Sequence, residues 1–195
     1  MKKILYIAGA LMLLVPAVSH AQALPFVAAE TDAASLGTAG AGLVETSSVA
    51  DASFSNAAVI PFSDNKLDAS VGYTMWQPSS SNILNVGVAY NVKSKFGVAL
   101  GVHYGMNPSY DVTNESGAVA GVFAPKDIHV NAGLAWRFLP FLSLGANIGY
   151  ATSSLAEGHS YGALAADVFA MAKFGDFRVT AGVANVGTTV KSASG

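Results

Sequence analysis

Across residues 66–187, large apolar side chains alternate with small or polar ones, and the pattern returns seven times in stretches of about eleven residues. Within 96–105, for example, Phe96, Val98, Leu100, Val102 and Tyr104 share one parity, and Gly97, Ala99, Gly101, His103 and Gly105 the other. Successive strand side chains point to opposite faces, so each stretch predicts a β-strand with one apolar face and one small or polar face. The strands are predicted at 66–76, 82–92, 95–105, 127–138, 141–152, 161–174 and 177–187. Each is close to the roughly nine to eleven tilted residues that cross a bilayer.

The connections alternate in length. Residues 77–81, 106–126 and 152–160 are the longer ones, and Lys93-Ser94, Leu139-Pro140 and Gly175-Asp176 are tight. Outer-membrane barrels alternate short periplasmic turns with longer outward loops in this way. The predicted class is therefore all-β, an antiparallel up-and-down transmembrane β-barrel of at least seven strands. Trp76, Tyr90, Phe96, Tyr104, Trp136, Phe138, Phe141, Tyr150, Phe174 and Phe177 fall near strand ends, where aromatic rings favour the membrane interface. A β-sandwich also flanks its turns with aromatics. Against it stands the charge: only 11% of residues are charged, compared with about 25% in ordinary globular domains. A soluble ligand-binding barrel would turn its apolar face inward and carry charge outside, so here the apolar face is expected to meet lipid.

The amino terminus predicts export. Lys2 and Lys3 precede an apolar run at 4–14, then Pro16 and small residues that suit cleavage after Ala21 or Ala23. A retained anchor fits less well, because Pro16 interrupts a run shorter than the roughly 20 residues needed to span. With no Cys in the chain, lipoprotein anchoring, disulfides, thiolate zinc sites and cysteine nucleophiles are excluded. The expected organisation is a signal peptide at 1–23, an N-terminal hatch segment at 24–63 and transmembrane strands over 64–195. Without Lys2 and Lys3, eight basic residues face twelve acidic ones, and nothing in that balance suits nucleic acid. Seven strands are an odd number for an up-and-down barrel. Either residues 34–44 supply an eighth, or the strands given are part of a longer set, which is the expectation preferred here.

Residues 32–42 read Asp-Ala-Ala-Ser-Leu-Gly-Thr-Ala-Gly-Ala-Gly, and 51–58 read Asp-Ala-Ser-Phe-Ser-Asn-Ala-Ala, directly before the first strand. This stretch resembles the N-terminal segment of the FadL-like barrel superfamily, and within it the PorV and PorQ proteins of Bacteroidetes. It departs from the family at Ala57, where a proline would stand. The resemblance implies an outer-membrane barrel whose N-terminal segment folds inward as a hatch, and that seven strands are the first half of such a barrel. In the PorV and PorQ branch it implies a part in type IX protein secretion, with machinery or cargo proteins as partners. In the FadL branch it implies uptake of hydrophobic molecules such as fatty acids or hydrocarbons.

The hatch candidates are Gly37, Gly40, Gly42, Asp51 and Asn56; the glycines allow close backbone approach. The facing wall is correspondingly small at Gly72, Gly87, Gly97, Gly101, Gly133, Gly145 and Gly149. Ionisable groups on the inward parity are Asp68, His103, His129, Arg137, Asp167, Lys173 and Arg178, expected to pair with one another or with the hatch. Ser143 lies one strand beyond His129, but sequence fixes no register, so no catalytic residue is assigned. The scattered histidines show no metal-ligand spacing, and no cofactor is expected. The inward parity offers little apolar surface, which favours a structural or partner-binding barrel over a transport lumen. The connection at 106–126 is the expected docking element, through Tyr110, Val119, Val122 and Phe123, which are unusually apolar for a loop.

Overall fold

The computed structural model describes residues 24–38, 41–44, 46–77 and 81–192. The expected signal peptide, Gly40 and the side chain of Trp76 lie outside that set. In chain order the strands are β1 (Leu67–Gln77), β2 (Ser81–Val92), β3 (Phe96–Met106), β4 (Tyr110–Thr113), β5 (Val119–Phe123), β6 (Lys126–Leu139), β7 (Leu142–Ala156), β8 (His159–Phe174), β9 (Phe177–Gly187) and β10 (Lys191–Ser192). All seven long strands fall within four residues of their predicted ends.

The main sheet is antiparallel and runs β1-β2-β3-β6-β7-β8, with β9 and its continuation β10 both paired to β8. Neighbouring strands keep their register along nearly their whole length, from Leu67 opposite Tyr90 to Phe174 opposite Phe177. The turn between β2 and β3 places Lys93 and Ser94 at φ 53° and 50°, a left-handed pair whose twist matches a hairpin. No strand lies beyond β1 among the described residues, so the sheet is not closed into a barrel.

One alternative is set aside and one expectation is corrected. Residues 34–44 do not form an eighth strand: they hold the short helix α1 (Ala33–Gly37) and a 3₁₀ turn at Ala41–Leu43. The Asp32 side chain accepts the Ser35 N–H at 2.8 Å and starts the helix. The connection at 106–126 is likewise no plain loop. It contains β4 and β5, a separate two-stranded sheet pairing Tyr110 with Phe123. Its tip is an Asx turn, in which Asn114 Oδ1 accepts from the Ser116 and Ala118 N–H groups and Gly117 takes φ 80°.

Burial alternates through the central parts of β2, β3, β6 and β7. One face carries exposed apolar side chains, such as Val71, Val86, Leu100, Leu134 and Ile148. Against the other lies the N-terminal segment, wound in 3₁₀ turns at Pro25–Ala28, Val49–Ser53 and Ala57–Phe62. Ser48 and Asn56 cap the last two by accepting from the Ala50 and Ala58 N–H groups. The core sits between segment and sheet: Ala52, Ala57, Ala58 and Ile60 pack on Ala89, Ala99, Ala135 and Met171. The segment runs lengthwise, from Phe26 beside Gly105 at the long-connection end to Ile60 beside Gly97 at the tight-turn end.

Candidate functional site

A 3₁₀ segment leaves many of its backbone carbonyls without partners of its own, and an inner wall must supply donors to them. The inward Ser and Asn residues do this. Ser143 Oγ donates to the Ala58 carbonyl at 2.6 Å, Asn147 Nδ2 to Ser55 at 3.1 Å and to Ala52 at 3.3 Å, and Asn91 Nδ2 to Ser63 at 2.8 Å. Asn56, fully buried, ties the segment to β9: its Nδ2 donates to the Leu43 carbonyl at 2.7 Å and to Thr180 Oγ1 at 3.0 Å. None of the donors Ser143, Asn147 and Asn91 had been singled out from sequence for this role. The signal was their parity, but the carbonyls they meet have no periodicity.

The wall glycines make room. A Cβ at Gly87 would stand 2.5 Å from the Ala50 carbonyl oxygen, and one at Gly97 2.6 Å from Ile60 Cγ2. The equivalent atom at Gly101 would meet the Phe54 ring, and at Gly145 the Ala58 backbone. The hatch glycines behave differently. A Cβ at Gly42 would come 2.5 Å from Ser35 within the segment itself, while Gly37 faces open space. Close approach is therefore granted by the wall more than by the hatch.

The ionisable groups on the inward parity do not gather into one cluster. Asp68 binds Ser48 Oγ at 2.8 Å, joining β1 to the segment. Arg137 donates to the Pro61 carbonyl at 3.3 Å with its guanidinium 5.3 Å from the Phe62 ring centroid. Lys173 and Arg178 are cross-strand partners. Asp167, expected to pair with these cations, instead accepts the Asn185 N–H at 2.6 Å. The β8–β9 register shifts there and Asn185 has φ 57°, so the carboxylate serves a backbone group that the bulge leaves out of the ladder.

His103 and His129 face each other across β3 and β6 with ring centroids 6.1 Å apart. His103 stacks on Phe54 at 3.5 Å and has Thr31 Oγ1 3.1 Å from its Nε2. Ser143 is not near them. On β7, Ala151 stands opposite His129 and Ser143 opposite Arg137, a separation of about 26 Å at about 3.3 Å per residue. Among the described residues no three His, Asp or Glu groups are placed to hold a metal ion.

Asp51 is a buried carboxyl of the segment, like Asp32, and accepts from Ser70 Oγ at 2.7 Å and Asn85 Nδ2 at 3.3 Å. Burial pushes its pKa above the ordinary value; the Ser70 and Asn85 hydrogen bonds offset part of that rise, and the Asp32 and Asp68 charges add to it. A raised folded-state pKa contributes stability below the usual carboxyl range, and that contribution is lost as pH rises through the raised value. Asp51→Asn should therefore raise the unfolding midpoint at pH 8 and leave it unchanged at pH 4. Thermal melts of both proteins over that range check this; parallel profiles would contradict it.

No protein-family model, no curated protein and no solved structure matches this chain.

Proposed function

We propose that this chain is a lipid-facing wall of an outer-membrane β-barrel, exported by a cleaved signal peptide and lined by its own N-terminal segment. In this reading it is a non-enzymatic component of type IX protein secretion, of the PorV and PorQ kind. The observation that carries the membrane part is the contrast between the two faces. The inner parity of β2, β3, β6 and β7 is largely buried beneath the segment, while the outer face presents Val71 at 76% exposure, Leu100 at 59% and Leu134 at 65%. So large an apolar surface calls for a hydrocarbon surround.

The tight-turn end supports the same placement. Phe96 stacks on Trp136, Trp136 meets Phe138, and Phe141 stacks on Phe174. All are exposed, and Lys66 and Lys95 lie over the rings of Tyr90 and Phe96. Rings and cations ranked at one level suit a membrane–water interface.

Partner docking is assigned to the β4–β5 hairpin, where Val119 and Val122 are exposed and Tyr110 packs on Phe123. The hairpin's base is already closed by the Asn107 N–H on the Pro125 carbonyl. Deleting 109–124 should thus leave the wall folded while abolishing co-purification with secretion machinery or cargo, and loss of the whole protein should strand cargo in the periplasm. The mature protein should fractionate with outer membranes and resist carbonate extraction. Recovery as a soluble periplasmic protein would refute the membrane reading, and unchanged partner capture by the deletion would refute docking by the hairpin.

A second reading, a channel for hydrophobic molecules of the FadL kind, has one observation in its favour. A cavity of about 550 Å³ opens between the start of the N-terminal segment and the long-connection ends of β2, β3, β6 and β7.

A further inference from the structure

We infer that this cavity selects a cationic amphiphile, an alkyl chain ending in an ammonium group, over a fatty acid; the inference rests on reading the cavity as a ligand site. Its size lies within the roughly 300–1,000 Å³ of small-molecule pockets. Leu24, Phe26 and Ala29 of the segment and Ile83, Pro108 and Pro125 of the wall give it apolar sides, fit for a hydrocarbon chain.

Five polar side chains line the cavity, Ser81, Asn82, Asn107, Asp127 and Ser153, and three of them are ordered in one direction. Ser81 Oγ donates to Asn107 Oδ1 at 2.8 Å, and Asn107 Nδ2 donates to Asp127 Oδ2 at 2.7 Å. The relay spends its donors on reaching a carboxylate and holds that carboxylate at the cavity wall. No Lys, Arg or His lines the cavity among the described residues. The sequence has none from 21 to 65 or from 77 to 92, the two stretches that supply the segment and β2. Lys126, next to Asp127, is on the opposite parity of β6 and exposed. The segment itself adds Glu30, Asp32 and Asp51 to the same side of the balance. A carboxylate head beside Asp127 would meet its negative charge, whereas an ammonium head there would find an oriented acceptor in a half-buried site.

The test uses the mature protein purified from outer membranes into amphipol, with N-phenyl-1-naphthylamine as the fluorescent probe. At pH 7, decylamine should displace the probe at about one-tenth the concentration needed for decanoate, equivalent to about 1.4 kcal/mol. Decanol should fall between them. In Asp127→Asn the amine and the acid should converge to within about twofold. Because amphipol partitioning is the same for both proteins, that change reports the cavity. Ala29→Trp, which fills it, should lose probe binding while the folded wall persists. Equal displacement by the three compounds in the parent protein would overturn the head-group selection and leave a ligand cavity standing. Failure of all three to displace the probe, or full probe binding in Ala29→Trp, would overturn the ligand-site reading itself.

Discussion

Replacing Gly145 with valine should drive the N-terminal segment off the wall. A Cβ at this position meets the Ala58 backbone nitrogen, with the Ala58 Cα at 2.8 Å and the Ala57 carbonyl carbon at 2.9 Å. Backbone cannot rotate aside as a side chain can. Overpacking usually costs about 1–3 kcal/mol, and displacing Ala58 also breaks its hydrogen bond from Ser143, worth about 1 kcal/mol. The chain has no Cys, so one introduced thiol can report the outcome. Ser53→Cys is nearly isosteric at a site with 0% exposure, where Ser53 Oγ has no hydrogen-bond partner to lose. Maleimide should leave this thiol unlabelled in the parent and modify it readily when Gly145→Val is added. Gly121→Val, where a Cβ meets nothing within 4 Å, should not change labelling. A thiol equally protected in the Gly145→Val protein would show that the segment is not held by this contact.

What the sequence made readable was whatever repeats. A period of two over eleven residues fixes which side chains share a face, so Leu100 and Gly101 were assigned to opposite faces and lie there. The β4–β5 hairpin is hard to tell from a loop in sequence because its strands are only four and five residues long, too short for alternation to stand out beside the long strands. Its Asn114-to-Gly117 turn was the local signal available. The inner face was legible in composition but not in its connections. Ser143, one strand beyond His129, donates to the carbonyl of Ala58, which an irregular turn with no sequence period offers. The partner of Asp167 is hidden for a related reason. The Asn185 N–H that it binds is exposed by a bulge, and bulges shift a register without changing the alternation that reveals the strand.

Leu100→Arg should cost about 2–4 kcal/mol, while Phe96→Arg on the same strand and face should cost about 0–1 kcal/mol. Leu100 lies near the middle of β3, flanked by Val88 on β2 and Ala132 on β6, and its side chain is on the outer face. In lipid, a guanidinium there is at the greatest depth from water. Phe96 is at the tight-turn end beside Lys95 and the Trp136 ring, where an arginine reaches the interface by extending its chain. The two positions are alike in exposure and in the face they occupy, so burial within the protein cannot separate them; only depth in a bilayer can. On a sheet bathed in water, both substitutions would be surface changes, worth less than about 0.5 kcal/mol either way. Urea titrations in lipid vesicles, following the shift between folded and heat-denatured electrophoretic forms, measure the difference. Two small and equal costs would remove the lipid-facing wall, and with it the secretion and channel readings that depend on it.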